Sequence, residues 1–254
     1  MGHSFSRAYF NEMFAEKGIA GRYDNYALPD LSALPDVIAG TRELCGFNVT
    51  IPHKRAVMDL LDDVDDEARA IGAVNTVTID RRGDRPVTCG HNTDAGGFRL
   101  GFAALLQGAC AGEVSPRALV LGTGGASRAV TYALGQMGVH VTHVSRNPGA
   151  GRITYAHLTK PVMDACRIIV NTTPLGTYPA TDGAAPIPYG LVTPRHVCLD
   201  LVYNPAVTEF MSRCAARGAA VQNGLAMLHA QAQLAWDYFS KQVAINNGKP
   251  NSIQ

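Results

Sequence analysis

Lys54 lies two residues beyond Pro52, and Asp94 opens a predicted helix. In the first turn of a helix a lysine meets the positive end of the helix dipole. Dipole and desolvation then both disfavour its ammonium form. A lysine so placed is a candidate proton donor near neutral pH, with Asp94 able to hold and orient it; the bland alternative is a surface lysine. Ser4 and Ser6 precede another predicted helix. Two hydroxyls beside a helix N-terminus suit a carboxylate, although simple capping uses only one. The run Gly122-Thr123-Gly124-Gly125-Ala126-Ser127 is a G-x-G-x-x-S variant of the dinucleotide fingerprint. Gly122 permits the tight turn, Gly124 lets the backbone approach a pyrophosphate, and the small Ser127 keeps helix and strand close. About 20 residues further on, an NAD site carries Asp or Glu for the ribose 2′-hydroxyl. Here the chain reads Ser145-Arg146-Asn147. With no carboxylate and an arginine able to pair a 2′-phosphate, these residues favour NADP over NAD.

Such groups work only if regular elements hold them. Ala8, Tyr9, Phe10, Met13 and Phe14 recur at helical spacing, with Gly18 as a stop. The pattern then predicts a strand over 23–28, a short helix opening at Pro29-Asp30, a strand over 46–51 and a helix opened by Pro52. Residues 74–79 and 87–89 read as a strand pair around the turn at 80–84, and a helix runs from Asp94 to about Gln107. After a connector over 108–116 the pattern becomes β-α-β. Strands are expected at 118–121, 140–144, 167–170 and 197–202, and helices at 127–137, near 206–217 and at 224–242. Strands alternating with helices imply a parallel sheet covered on both faces. Polar patches at 3–6, 48–54, 73–76 and 90–94 fall at the ends of these elements, where substrate groups usually project.

Composition narrows the class. The 254 residues suffice for a buried core, and 46% apolar with 17% charged is a globular mixture. Lys+Arg number 22 against 21 Asp+Glu, which gives no support for a nucleic-acid arm or a membrane-surface patch. Six cysteines show no C-x-x-C pair and no finger-like histidine spacing, so reduced core thiols are expected and no metal site. No apolar run is long enough to span a membrane and no secretory signal is visible, which makes the cytoplasm the expected location. The N-terminal Met-Gly-His-Ser-Phe-Ser matches a myristoylation pattern by letter, but the serines have a better use.

Taken together, the motifs resemble the shikimate dehydrogenase family along essentially the whole chain. Gly-His-Ser-Phe-Ser at 2–6 is similar to its G-H-S-x-S segment, and residues 46–54 to its G-x-N-V-T-x-P-x-K segment. Residues 72–76 and 90–94 resemble its A-V-N-T and N-T-D motifs. The glycine turn, Asp-Leu-Val-Tyr-Asn-Pro at 200–205 and the G-x-x-M-L-x-x-Q helix start at 224–231 follow in register. The resemblance implies an α/β fold: an N-terminal α/β substrate domain, a doubly wound Rossmann-type NADP domain, and a C-terminal helix returning to the substrate domain. The expected boundaries are 1–95, completed by 226–254, and 96–225.

It further implies reversible, NADP-dependent reduction of 3-dehydroshikimate to shikimate, in aromatic amino-acid and chorismate biosynthesis. Lys54 and Asp94 would form the acid/base dyad. Ser4, Ser6, Thr50, Asn75, Tyr203 and Gln231 would bind substrate. Gly122, Thr123, Gly124, Gly125 and Ala126 would cradle the pyrophosphate, and Ser145, Arg146 and Asn147 the 2′-phosphate. Asn171, Thr172 and Thr173 would line the crevice, with Leu201, Gly224 and Met227 on the nicotinamide side. The expected partner is the small-molecule substrate, in a monomer or homodimer, with no nucleic acid or membrane.

The chain departs from the family pattern in three places. Family members carry a Y-G-L-I-G-x-P strand before G-H-S-x-S, whereas Met1 directly precedes Gly2 here; a misplaced start is the simplest account. Thr172-Thr173 replaces the family's Ala-Thr. The nearest second arginine after Arg146 is Arg152, beyond Pro148-Gly149. Two other readings stand beside the leading one: an NAD-dependent quinate/shikimate dehydrogenase, and a non-catalytic shikimate-binding relative on the same fold.

Overall fold

The structure, a computed structural model, describes residues 5–248. Contacts divide the chain into two compact units, Met1–Leu44 and Cys45–Gln254. In the first, α1 (Phe5–Glu16) turns Phe10, Met13 and Phe14 inward, as the helical spacing predicts. The strand expected over 23–28 does not form. Asn11 explains why: its Nδ2 donates to the Tyr23 carbonyl at 2.8 Å and its Oδ1 accepts from the Tyr23 amide at 3.0 Å. One side-chain amide thus takes both backbone groups that a neighbouring strand would use. The short helix also starts later than expected, as α2 (Leu34–Gly40), with Pro35 in its first turn.

The second unit holds two sheets. In the smaller, β1 (Gly46–Asn48), β2 (Asp63–Val64), β3 (Thr76–Asp80) and β4 (Val87–His91) lie in the order β1-β3-β4-β2. β3 pairs antiparallel with both β1 and β4, while β2 and β4 run parallel. No α-helix follows Pro52. The Lys54 carbonyl accepts from the distant Val74 amide at 2.7 Å, so it is not available to a helical ladder. Turns occupy 51–55 and a 3₁₀ helix follows at Ala56–Leu60. A helix not foreseen, α3 (Asp66–Ile71), is capped by Asp65 and closed by Gly72 at φ 70°.

The helix expected from Asp94 to about Gln107 is two helices, α4 (Asp94–Gly101) and α5 (Ala103–Cys110). At the break the Gln222 amide donates to the Gly101 carbonyl at 2.7 Å. Then come β5 (Arg117–Leu121), α6 (Gly125–Gln136), β6 (His140–Ser145), β7 (Arg152–Thr154), α7 (Lys160–Ala165), β8 (Ile168–Asn171), β9 (Val197–Asp200), α8 (Glu209–Ala215), β10 (Ala220–Gln222) and α9 (Leu225–Asn246). The six strands pair in parallel in the order β10-β9-β8-β5-β6-β7. Numbered within this sheet the order is 3-2-1-4-5-6, the doubly wound arrangement with its switch point between β5 and β8. Alternate side chains sort to two cores. Ala118, Val120, Ile168, Val170 and Leu199 join residues of α4, α5 and α6; Leu119, Leu121, Ile169 and Cys198 join those of α7 and α8.

The C-terminal helix α9 packs on α4, β3 and β1. Glycines on α4 allow this close approach. A Cβ on Gly97 would stand 2.7 Å from the Gln231 Cβ, and one on Gly101 2.4 Å from the Met227 amide nitrogen. At its far end the Asn246 Nδ2 donates to the Ile79 carbonyl at 3.0 Å. The chain therefore returns to the smaller sheet, as expected.

Candidate active site

Lys54 and Asp94 meet although 40 positions separate them. Lys54 Nζ donates to Asp94 Oδ2 at 2.7 Å, with the two side chains only 16% and 9% exposed. The Val74-to-Lys54 backbone bond brings the turn carrying Lys54 against the start of β3, and α4 begins at Asp94 beside the end of β4. Because 51–55 are turns, Lys54 does not stand in the first turn of a helix opened by Pro52, and the dipole argument drawn from that helix does not apply. What holds the pair is hydrogen bonding. Asn75 Nδ2 donates to Asp94 Oδ1 at 2.9 Å, and Asn75 Oδ1 accepts from the Thr93 amide at 2.8 Å. Asn92 Nδ2 donates to the Ala73 carbonyl at 2.8 Å and its Oδ1 accepts from the Ala95 amide at 3.2 Å. One carboxylate oxygen faces an amide and the other faces the ammonium, so the carboxylate cannot rotate without losing both. Among the described residues no buried side-chain nitrogen or oxygen lacks a partner.

The glycine turn sits beside this pair. A Cβ on Gly125 would lie 3.5 Å from Cβ and Cδ of Lys54. The turn occupies the switch point, where ligands collect outside the carboxyl ends of the strands. Gly122 has φ 115°, and a Cβ there would stand 2.7 Å from Thr172 Oγ1. Thr172 Oγ1 in turn donates to the Leu121 carbonyl at 2.6 Å. Ser127 is fully buried and donates to the Gly122 carbonyl at 2.9 Å, so the third fingerprint position also ties the turn together. No side chain caps α6, so its first amides have no side-chain acceptor and could be satisfied by anionic oxygens.

At the neighbouring strand end Asn171 is buried. Its Nδ2 donates to Asp200 Oδ1 at 2.9 Å and its Oδ1 accepts from Thr173 Oγ1 at 2.7 Å. Asp200 also accepts from the Val202 amide at 3.0 Å and from Thr208 Oγ1 at 2.6 Å. Burial pushes its carboxyl above the usual range, and these three donors only partly offset it. Gly224 admits no side chain, since a Cβ would lie 2.2 Å from the Leu201 carbonyl oxygen. These contacts bring Gly122, the segment 171–173, Leu201 and Gly224 together at the carboxyl ends of β5, β8 and β9, the place where a crevice is expected in this topology. Met227 is buried one turn into α9.

Other expected residues are placed less tightly. Arg146 and Asn147 are exposed past the end of β6, where Ser145 Oγ accepts from the Asn147 amide at 3.2 Å. Thr50 and Tyr203 are exposed, and Gln231 is half-buried, donating to the Leu228 carbonyl at 2.9 Å. Ser6 lies within the first turn of α1 rather than before it, and Ser4 is outside the described residues. A cleft of about 370 Å³ beside the glycine turn is lined in part by Thr123, Ser127, Arg128, His143 and Arg152. Burial holds the His143 imidazole below its usual range, and Arg128 adds to this against a bond at Gly122. Asp200, Asn92 and His143 carried no role in the sequence reading. The first two were visible as members of motifs, whereas nothing local marks a histidine on a strand as lining a cleft.

Comparison with known proteins identifies the family. The family profile "Shikimate dehydrogenase substrate binding domain" matches residues 1–77. The NADP(+) shikimate dehydrogenase of Symbiobacterium thermophilum is 37% identical over 94% of this chain and 85% of its own length. The chain belongs to the shikimate dehydrogenase family. Family members with solved structures superpose over most of the chain. The Thermus thermophilus shikimate 5-dehydrogenase, in complex with NADP(H) and shikimate, has a TM-score of 0.78 at 35% identity, covering 94% of this chain and 89% of that one. A quinate dehydrogenase from Corynebacterium glutamicum, in complex with NAD, has a TM-score of 0.77 at 30% identity, covering 94% and 90%. Among the described residues no helix is long and apolar enough to cross a membrane, and no three metal-binding side chains cluster.

Proposed function

We propose that the protein is an NADP-dependent shikimate dehydrogenase, interconverting 3-dehydroshikimate and shikimate, with Lys54 and Asp94 as its acid/base dyad. The observation that carries the reading is the 2.7 Å Lys54–Asp94 pair standing against Gly125 of the glycine turn. The residues fit a dinucleotide: Gly122 takes a positive φ in a turn packed tightly on Thr172, the start of α6 is uncapped, and Gly224 lets α9 begin directly against the Leu201 backbone. Bound NADPH supplies hydride. Lys54 Nζ donates a proton to the substrate carbonyl oxygen in the reduction and takes it from the hydroxyl in the reverse direction. Asp94 Oδ2 holds the ammonium in place, and Asn75 fixes the other oxygen so that the dyad keeps one orientation.

Thr50, Asn75 and Gln231 bind ring hydroxyls in this reading, and Ser4, Ser6 and Tyr203 the substrate carboxylate. Residues 1–95 with 226–254 form the substrate domain and 96–225 the cofactor domain. Gly122, Thr123, Gly124, Gly125 and Ala126 hold the pyrophosphate, and Ser145, Arg146 and Asn147 the 2′-phosphate. Asn171, Thr172, Thr173, Leu201, Gly224 and Met227 line the nicotinamide side. The same reading puts the protein in the cytoplasm, as a monomer or homodimer, with no nucleic-acid partner. The test is shikimate-dependent NADP reduction, followed by nicotinamide absorbance with NAD in parallel. Turnover with NADP that disappears in Lys54→Ala supports the assignment. Turnover retained in Lys54→Ala, or none in a folded wild-type protein, overturns it.

A further inference from the structure

His91 closes β4 three residues before Asp94, and it is 8% exposed. Both ring nitrogens and one face of its ring are engaged. Nδ1 lies 2.7 Å from Asp65 Oδ2, Nε2 lies 3.0 Å from Thr78 Oγ1, and the ring stacks on Tyr238 at 4.0 Å between centroids. An Nδ1–H donated to the carboxylate leaves Nε2 to accept from the Thr78 hydroxyl. Asp65 grips β4 a second time, its amide donating to the Gly90 carbonyl at 2.9 Å, while its other oxygen caps α3 through the Ala68 amide at 2.7 Å. His91 thus joins α3, β3 and α9 to the last residue of β4. From there the path to the dyad is short. The His91 carbonyl accepts from the Asn75 amide at 3.1 Å, and the Asn75 side chain holds Asp94 and Thr93.

We propose that His91, clamped by Asp65, is a positioning residue for the acid/base dyad, fixing the end of β4 so that Asn75 and Asp94 present one geometry to Lys54. This rests on the functional reading above. Burying an imidazole is costly unless its nitrogens are paired, and this one, held by a partly exposed carboxylate, lies where one strand end sets the start of the helix that carries Asp94.

Two substitutions separate the parts of the clamp. His91→Phe keeps a ring for Tyr238 and loses both hydrogen bonds. His91→Asn places an N–H where Nδ1 stood and keeps the bond to Asp65 without the stack. A displacement of the dyad by a fraction of an ångström is expected to lower kcat of His91→Phe about tenfold, with KM for shikimate and NADP nearly unchanged. His91→Asn should recover most of that loss. In an Asp94→Asn background His91→Phe should have little further effect, because the geometry it maintains is already lost. Should His91→Phe fail to fold, Asp65→Ser keeps a helix cap but cannot reach the ring, and carries the same expectation.

Wild-type kcat in His91→Phe, an equal loss in His91→Asn, or an undiminished effect in the Asp94→Asn background overturns the proposal. Amide hydrogen exchange across 92–95 reads the clamp without the reaction. It should quicken in His91→Phe and not in His91→Asn, and unchanged exchange in His91→Phe also overturns the proposal. An inactive wild type would therefore sink the functional reading alone.

Discussion

At Lys54 each working group is held by another side chain, whereas along the crevice what counts is side chains that are missing. The dyad depends on Asp94, Asn75, Thr93 and Asn92, which come from the end of β4, the start of α4 and the approach to β3. The crevice depends on Gly122 and Gly224, where one added carbon would meet Thr172 Oγ1 or the Leu201 carbonyl. The first region excludes a wrong charge or a lost amide, and the second excludes volume. Substitutions that leave one region untouched should disable the other, with different signatures.

The largest effect is expected at the dyad. Asp94→Asn keeps the shape and removes the charge opposite Lys54, so kcat should fall about 10²- to 10⁴-fold with KM nearly constant and folding largely intact. Steady-state kinetics beside a thermal melt checks both halves of that statement; a comparable loss of stability would mean that the dyad is mainly structural. At the crevice the pattern should invert. Gly224→Ala drives a methyl into backbone that cannot give, costing about 2 kcal/mol of stability or more. At this chain length that is a fall of roughly 4–8 °C in Tm. Gly122→Ala adds the penalty of a positive φ and should raise KM for NADP more than it lowers kcat at saturation.

A smaller effect belongs to the arginines. Arg146→Ala should raise KM for NADP about tenfold while leaving the weaker NAD reaction unmoved, since only the 2′-phosphate is lost. Arg152 stands in the cleft with Thr123 and Arg128. If Arg152→Ala shows the larger discrimination, the 2′-phosphate lies on that side of the turn.

The two regions also differed in how plainly the sequence announced them. Gly122, Gly124 and Ser127 stand within six residues between a strand and a helix, so their geometry is local and the spacing reveals it. The switch point follows from strand order, which the alternation of apolar runs did not give: it implied a parallel sheet, and only the family resemblance implied the doubly wound arrangement. The surroundings of Lys54 were misjudged because its carbonyl pairs with Val74, a bond across 20 positions that breaks the helix expected after Pro52. The strand expected over 23–28 failed for the same kind of reason, through Asn11. α3 was missed although Asp65 and Gly72 mark its ends, because its six residues are too few to show a period. Asn75 was assigned to substrate through the family motif; its bond to Asp94 is a long-range contact that spacing does not encode.

The smallest prediction sets two carboxylates against each other, one in each region. Burial alone would raise the Asp65 carboxyl, but His91 and the Ala68 and Glu67 amides outweigh it and hold it below the ordinary 3.8. At Asp200 burial wins, and the carboxyl is held above 3.8. The linkage signs are therefore opposite. As pH falls, unfolded chains protonate Asp65 before folded ones do, so its contribution is complete above 3.8 and is lost as pH drops through its lowered folded value. Asp200 contributes fully below 3.8, and that contribution is lost as pH rises through its raised folded value. Denaturant unfolding of wild type, Asp65→Ser and Asp200→Asn across the acid range reads both. The stability gap between wild type and Asp65→Ser should widen with rising pH and then level off. The gap to Asp200→Asn should move towards the variant's favour over the same rise. Gaps of one sign would mean that donors rather than burial decide the charge at both sites, and the contrast between a side-chain-held corner and a closely packed crevice would lose its electrostatic half.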